Sequence, residues 1–274
     1  MKKVIFFIIF FIAQIYLAKG ESQEIFSWQD CVREASKNNP DLISAQELVV
    51  EQRASKSITA STLYPQLQAD ISASTTETEH ATTDSYSLGL SGTQIIFDGL
   101  KTLNKIKATK EDIKAAQQNY RFVSSEVRLN LRTAFIGLLK AQELIKVAEE
   151  IIRIRRNSLI LITLRYESGL EHKGALLTAE ANLAEAKFEL NQAQRNLELA
   201  QRRLCKEIGY DEFKPILVKE DFTIDKIEIE EPNWEALVKN HPTLLKATAN
   251  KSSQAFKIKS AYAEFLPEVS VSSG

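Results

Sequence analysis

Apolar residues change their spacing several times along this chain, and each change marks an element. Val4 to Leu17 is apolar except for Gln14 and follows Lys2 and Lys3, and Ala18-Lys19-Gly20 then offers small residues at the two positions a signal peptidase reads. That layout predicts a secretory signal peptide over residues 1–20, too short for a permanent bilayer anchor. Ser27 is placed to cap a short helix over 27–38, with Trp28, Cys31, Val32 and Ala35 on one face. Asn39-Pro40 ends it, because the residue before a proline is pushed out of the helical region. A second helix is expected over 41–63, stopped by Pro65.

The period then drops to two. Leu67, Ala69, Ile71 and Ala73 alternate with Gln66, Gln68, Asp70, Ser72 and Ser74; after a polar, Thr-rich turn from Thr75 to Asp84, Tyr86, Leu88 and Leu90 alternate with Ser85, Ser87, Gly89 and Ser91. Two such runs joined by a polar loop predict a long β-hairpin over 65–97. A soluble sandwich shows the same alternation. It is the export signal upstream that brings in membrane insertion, which for a mature chain without a later apolar run of about 18 residues must use β-strands.

Helical spacing returns after Phe97-Asp98-Gly99. Ile113, Ala116, Tyr120, Val123, Val127, Leu131, Ala134, Leu138, Ala141, Ile145, Ala148, Ile152, Leu159 and Ile162 recur mainly at steps of three and four, with Asn130 and Arg155 as mild interruptions. A helix over 100–165 would span roughly 99 Å at about 1.5 Å per residue, the length of a coiled coil or a shaft. The segment Glu167 to Gly174 carries two glycines and predicts a turn. Beyond it Leu176, Leu183, Leu190, Leu197 and Leu204 repeat every seven residues, with Ala179, Ala186, Ala193 and Ala200 between them. This is a coiled-coil seam in which alanine lets a neighbouring helix come close. The helix over 175–208 ends at Gly209 and spans about 50 Å, so the 41–63 helix, about 35 Å, is of a length to cover the rest of the longer partner.

The remainder reads as a repeat. After a Lys/Glu/Asp-rich linker over 210–233, Trp234 opens a short helix that His241-Pro242 breaks; at an offset of 202, Pro40 matches Pro242, Leu42 matches Leu244, Ala45 matches Ala247, Gln52 matches Gln254 and Pro65 matches Pro267. Val269 and Val271 then alternate as Leu67 and Ala69 do. Residues 21–209 are expected to be one full repeat and residues 234–274 the truncated start of a second, so the chain looks incomplete.

Composition narrows the chemistry. Lys+Arg total 35 and Asp+Glu 36, for a net charge of −1, which argues against nucleic acid as a partner. No proline occurs between Pro65 and Pro215, consistent with uninterrupted helices. Cys31 and Cys205 form no CxxC and cannot build a disulfide scaffold; inert, half-buried thiols are expected, with pairing left open. His80, His172 and His241 sit in expected turns or helix ends, none spaced with a carboxylate as on a metal-binding helix, and the chain has no P-loop, GxGxxG or GxSxG. No catalytic, cofactor-binding or metal-binding residue is assigned, and an enzyme is not expected.

In this order of elements the chain resembles the TolC-type outer membrane efflux proteins. The residues that carry the resemblance are Phe97-Asp98-Gly99, at the strand-to-helix junction, and Arg165-Tyr166-Glu167-Ser168-Gly169-Leu170 followed by Leu177, Ala179 and Glu180, at the helix turn. It departs from the family pattern at Leu100, where a second glycine is frequent, and at His172 and Ala175, where Ser and Asp are common. The resemblance implies a mainly α fold with a β-hairpin: long antiparallel coiled-coil helices of an α-barrel tunnel plus membrane β-barrel strands. It further implies a homotrimer in the outer membrane of a Gram-negative-type envelope, extending into the periplasm. Such a channel is a passive conduit without cofactors, serving efflux or type I secretion together with a periplasmic adaptor and an inner-membrane pump. Docking of the adaptor falls on Arg165, Gly169 and Leu170, unless Gly169 only permits a positive φ and Leu170 only packs the turn; the tunnel gate belongs largely to the second repeat. A different class stays open, a periplasmic coiled-coil adaptor or scaffold with no channel of its own. It would share the signal and the helical hairpin but not the alternating segments 66–74 and 85–91. A genuinely truncated, non-functional product is a third possibility, since open sheet edges are not tolerated in lipid.

Overall fold

A computed structural model describes residues 25–78, 81–220 and 232–274. The expected signal peptide, the tip of the hairpin and the later part of the 210–233 linker lie outside these residues. In chain order the elements are β1 (Ile25–Phe26), α1 (Trp28–Asn38), α2 (Pro40–Ser61), β2 (Gln66–Thr78), β3 (Ala81–Phe97), α3 (Lys101–Glu167), α4 (Lys173–Ile208), β4 (Leu217–Val218), α5 (Trp234–Lys239), α6 (Pro242–Tyr262), a 3₁₀ turn (Ala263–Phe265) and β5 (Val269–Ser273). They fall into two compact units, one built from 25–40 and 127–220, the other from 41–126 and 232–274. The 67-residue helix α3 belongs to both.

The first unit has a continuous apolar core. Ser27 caps α1 through a capping box: its Oγ accepts from the Asp30 N–H at 3.3 Å, and its own N–H donates to Asp30 Oδ2 at 3.2 Å. This fixes the face that buries Cys31 and Ala35 against Leu131, Phe135 and Leu138 of α3 and Leu204, Cys205 and Ile208 of α4. Trp28 closes the edge of the core, its ring 5.7 Å from that of Phe135 in an edge-on contact and covered by the Arg132 guanidinium at 4.9 Å. Each fully buried leucine or phenylalanine here stabilises the fold by about 1.5–3 kcal/mol relative to exposure. Along α4 every leucine and alanine of the heptad seam is buried or partly buried, while the off-seam Leu177, Phe188 and Leu199 are exposed. Both cysteines are free and fully buried rather than half-buried. Burial, aided by the nearby Asp30 carboxylate, pushes the Cys31 thiol up to about 12, so it stays protonated and inert at neutral pH.

The segment expected to be pure linker starts inside this core. Ile216 and Val218 are buried, and β4 pairs in parallel with β1, Ile25 opposite Leu217 and Phe26 opposite Val218. The Gln142 side-chain amide stands in for a further strand: its Nε2 donates to the Val218 carbonyl and its Oε1 accepts the Val218 N–H, both at 2.9 Å. Gln201, also buried, donates to the Ile216 carbonyl at 3.0 Å. Such pairing satisfies backbone groups that burial would otherwise leave costly.

In the second unit, β2, β3 and β5 form an antiparallel sheet in the order β2-β3-β5. Register sets Leu67, Ala69, Ile71 and Ala73 beside Gly92, Leu90, Leu88 and Tyr86 on one face. The other face pairs Gln68 with Ser91, Asp70 with Gly89, Ser72 with Ser87 and Ser74 with Ser85. The described part of the Thr-rich stretch expected as a turn is strand instead: pairing continues through Thr75 opposite Asp84 to Thr78 opposite Ala81. β-branched threonines suit a pleated strand, and Thr75 Oγ1 donates to Asp84 Oδ1 at 2.8 Å. α6 runs antiparallel to the first turns of α3, held by Lys246 Nζ donating to Asn119 Oδ1 at 2.9 Å, the Lys257–Asp112 ion pair at 3.6 Å and Ser260 Oγ donating to the Lys101 carbonyl at 3.2 Å. α2 and α6 both begin on a proline, Pro40 and Pro242, but α2 buries Ala45 and Val49 while α6 buries Ala249, Ser253 and Ser260.

The end of α4 is the tightest point of the first unit. Gly209 adopts φ +91°, its N–H donates to the Lys206 carbonyl, and the Tyr210 N–H donates to the Cys205 carbonyl at 3.0 Å, the two bonds of a Schellman cap. A Cβ there would overlap the Asn38 carbonyl, and Asn39 beside it is buried with its Nδ2 donating to the Glu207 carbonyl at 2.9 Å. Gly209→Ala combines left-handed strain with overpacking against backbone that cannot give, and is expected to destabilise the protein by about 2–4 kcal/mol, read from the thermal midpoint of the helical circular dichroism signal; an unchanged midpoint would contradict this packing.

Candidate functional site

Two turns, one at each end of α3, hold the residues that the sequence singles out. At its C-terminal end the chain reverses into α4 through a second Schellman cap. The Gly169 N–H donates to the Tyr166 carbonyl at 3.0 Å and the Leu170 N–H to the Arg165 carbonyl at 2.8 Å, with Gly169 at φ +74°. No atom lies within 4 Å of where a Gly169 Cβ would be, so its backbone conformation, not crowding, calls for glycine. Arg165 pairs loosely with Glu171 at 3.8 Å. Leu170 is 72% exposed: the apolar contact that commonly accompanies such a cap is missing, and the side chain points away from the fold.

His172, where the family pattern favours Ser, serves as the N-cap of α4: its Nδ1 accepts from the Ala175 N–H at 2.8 Å. Beside the turn lies a groove of about 270 Å³ between α3 and α4, lined by Arg155, Ser158, Ile162, His172, Ala179 and Asn182 among others. The turn is legible in the sequence and the groove is not, because the residues of the groove are ordinary in type and come together only when the two helices pack.

At the N-terminal end, Phe97, Asp98 and Gly99 convert strand into helix. Phe97 pairs with Val269 of β5, next to an irregularity in the ladder at Ile95/Phe97. Gly99 and Leu100 both have positive φ, +65° and +68°, and the Lys101 N–H donates to the Asp98 carbonyl at 3.1 Å, the signature of a type I′ turn. Gly99 is required twice over, since a Cβ there would also lie 2.8 Å from Leu266 Cβ. Leu100 is the single described non-glycine residue with positive φ, at a cost of about 1–2 kcal/mol. Asp98 Oδ2 accepts the Thr102 N–H at 2.7 Å. Burial pushes the Asp98 carboxyl up, but hydrogen bonds from Thr102 and Lys101 outweigh it and hold the group below its ordinary value. The turn is clasped from the 3₁₀ turn after α6 by the Lys101–Glu264 ion pair at 3.0 Å.

Residues 31–210 match the family described as outer membrane efflux protein. The chain belongs to this family. The matched span takes in both turns, from α1 through the end of α4. Among relatives of the efflux protein family, the "Cation efflux system protein CusC" of Escherichia coli O157:H7 is 23% identical over 248 residues, covering 89% of this chain and 54% of that protein. The chain thus spans about half the length of the curated relatives it matches. The fold is also similar to the Campylobacter jejuni CmeC outer membrane channel, with a TM-score of 0.76 at 20% identity over 89% of this chain and 55% of that one. It is similar again to the open state of the Neisseria gonorrhoeae MtrE outer membrane channel, with a TM-score of 0.69 at 18% identity over 89% and 56%. These likenesses show the fold, a mainly α architecture with long antiparallel helices and strands that is shared with outer membrane channels.

Two outcomes are expected at the strand-to-helix junction. Leu100→Gly removes left-handed strain at an exposed site and should raise stability by about 1 kcal/mol, measured as a higher thermal midpoint. Asp98→Ala should cost about 0.5–2 kcal/mol at neutral pH. A depressed carboxylate stabilises the folded state above its unfolded pKa of about 3.9 and loses that contribution as pH falls through the lower folded value, so the gap between wild type and Asp98→Ala should close on acidification. A gap that stays constant down to the lowest pH would remove the electrostatic part of this account.

Proposed function

We propose that the chain is a subunit of an outer-membrane channel: a homotrimeric, passive conduit for export across the periplasm and outer membrane of a Gram-negative-type envelope. The observation that carries this reading is the coexistence, in a member of the outer membrane efflux protein family, of an apolar-faced β-sheet and a long helical hairpin. Leu67, Ile71, Tyr86, Leu88 and Leu90 are all exposed on one sheet face, which lipid would cover. The opposite face of hydroxyl, amide and glycine residues suits a water-filled lumen. Among the described residues no helix is long and apolar enough to cross a membrane, so the strands are the elements that do so.

A periplasmic adaptor and an inner-membrane pump complete the pathway, which serves small-molecule efflux or type I protein secretion. The reaction is transport and needs no catalytic side chain or cofactor. Arg165, Gly169 and Leu170 form the adaptor-docking tip: Gly169 sets the reversal, and the exposed Leu170 supplies an apolar contact that nothing in its own chain occupies.

Two measurements test this. Outer-membrane fractions run unboiled should contain the chain in a trimer-sized species that boiling converts to monomer; absence from the outer membrane would refute the channel. Leu170→Asp should abolish cross-linking to the adaptor while leaving the trimer intact, and undiminished cross-linking would remove Leu170 from the docking tip.

A further inference from the structure

Charge is segregated in the second unit to a degree that the overall balance of 35 basic and 36 acidic residues does not foreshadow. α6 carries Lys246, Lys251, Lys257 and Lys259 and no acidic residue in its 21 positions. The first ten residues of α3 carry Lys101, Lys105, Lys107 and Lys110, and its first acid is Glu111. Both runs lie beside the ends of β3 and β5, immediately below the sheet with the apolar face.

Exposure shows how these lysines are ordered. On α3, Leu103, Lys107 and Lys110 follow at steps of four and three and share one exposed face, with the exposed Leu100 ahead of them. On α6, Ile258, Tyr262 and Phe265 share one exposed face leading to the strand, Phe265 being 87% exposed, and Lys259 flanks Ile258. Each helix therefore presents apolar or aromatic side chains next to the sheet and lysine one to three turns further on. The Lys107 and Lys259 ammonium groups converge on one ring, 6.0 and 5.4 Å from the centroid of Phe256. Among the described residues Lys107, Lys110 and Lys259 form no ion pair, whereas Lys101, Lys114 and Lys257 do.

Apolar core, aromatic boundary, cation: this is the order in which a bilayer is crossed from hydrocarbon to headgroup. Lys107 stands six residues past the start of α3 at Lys101 and Lys259 six residues before Phe265, about 9 Å along the helices, and each is ten residues from the strand ends at Phe97 and Val269; Lys110 lies about 14 Å from Lys101. A lysine stem of about 6 Å and a headgroup layer of roughly 5–7 Å together span about 11–13 Å, which takes in Lys107 and Lys259 and brings Lys110 to its lower margin. We infer that Lys107, Lys110 and Lys259, with Tyr262 and Phe265 as interfacial anchors, form a binding surface for anionic phospholipid headgroups of the periplasmic leaflet. The inference rests on the channel reading above. Its physical content is that ammonium groups without carboxylate partners meet phosphodiesters that carry net negative charge, at the depth where the exposed apolar surface stops. Zwitterionic phospholipid fills the same space but offers no net charge to them.

The test uses the full-length channel, delipidated in detergent and mixed with equal amounts of phosphatidylglycerol and phosphatidylethanolamine, with retained lipid counted by native mass spectrometry. Wild type should retain phosphatidylglycerol preferentially, and the Lys107→Gln/Lys110→Gln/Lys259→Gln variant should lose that preference by tenfold or more, on the scale of about fivefold per juxtamembrane lysine. Single-channel conductance of the variant in neutral bilayers should equal wild type, showing that it is folded and inserted. Equal retention by the two proteins overturns the inference. So does displacement of phosphatidylglycerol by about 10 mM inorganic phosphate, which would make this a site for free phosphate. Altered ion selectivity with unchanged lipid retention overturns it too, by placing the lysines in the lumen. A chain that inserts into no bilayer at all refutes the channel reading itself, a result distinct from a conducting channel without lipid preference.

Discussion

An extended β-strand and a 67-residue helix obey different backbone rules, and Asp98 to Lys101 must exchange one for the other without a loop. The exchange needs two consecutive left-handed residues. Glycine supplies the first freely; Leu100 accepts the second at a cost that the Asp98–Thr102 hydrogen bond and the Lys101–Glu264 pair offset. The direction in which α3 leaves the sheet is set here, and the packing of α6 and the placement of the basic helix ends follow from it.

The helical hairpin works on a different principle. Its seam alternates leucine with alanine, so α3 and α4 approach closely over a narrow strip and leave wide faces unpaired. A domain that had to be stable alone would thicken that strip. Exposed apolar side chains remain off the seam, Leu177, Phe188 and Leu199 among them, as surface that packing within the chain leaves uncovered. The reversal at Gly169 then brings an exposed leucine to the extremity of the hairpin, where only another molecule can cover it.

How much of this was legible depended on whether a feature repeats. The heptad of Leu176 to Leu204, the alternation around Ile71 and Leu88, and the caps at Ser27 and Gly209 are local and periodic, and the structure places each element within a residue or two of where the pattern puts it. Phe135, the largest fully buried side chain, stood one position off the expected stripe at Ala134. The Thr75–Asp84 stretch looked like a turn because it is polar, yet threonine is a strand former and cross-strand pairing continues through polar positions as far as Thr78 and Ala81. The β1–β4 pair was invisible, since two-residue strands have no period and the partners lie 192 positions apart. At the turn between α3 and α4 the residues could be read, because glycine and a following leucine mark a cap. The groove beside them and the capping role of His172 could not, because both arise only from packing.

That long-range pair has a consequence in time. A ribosome or an export machine delivers this chain from its N-terminus, so Phe26 and Cys31 emerge far ahead of Leu204, Ile208 and Val218, the residues that cover them. Closing so large a loop is slow, and the core cannot form locally in the meantime. Until Leu204 to Val218 have arrived, the apolar face of α1 can meet only its α3 partners Leu131, Phe135 and Leu138, and the first unit can complete its core only as a late event, sealed by two short strands from opposite ends of the segment.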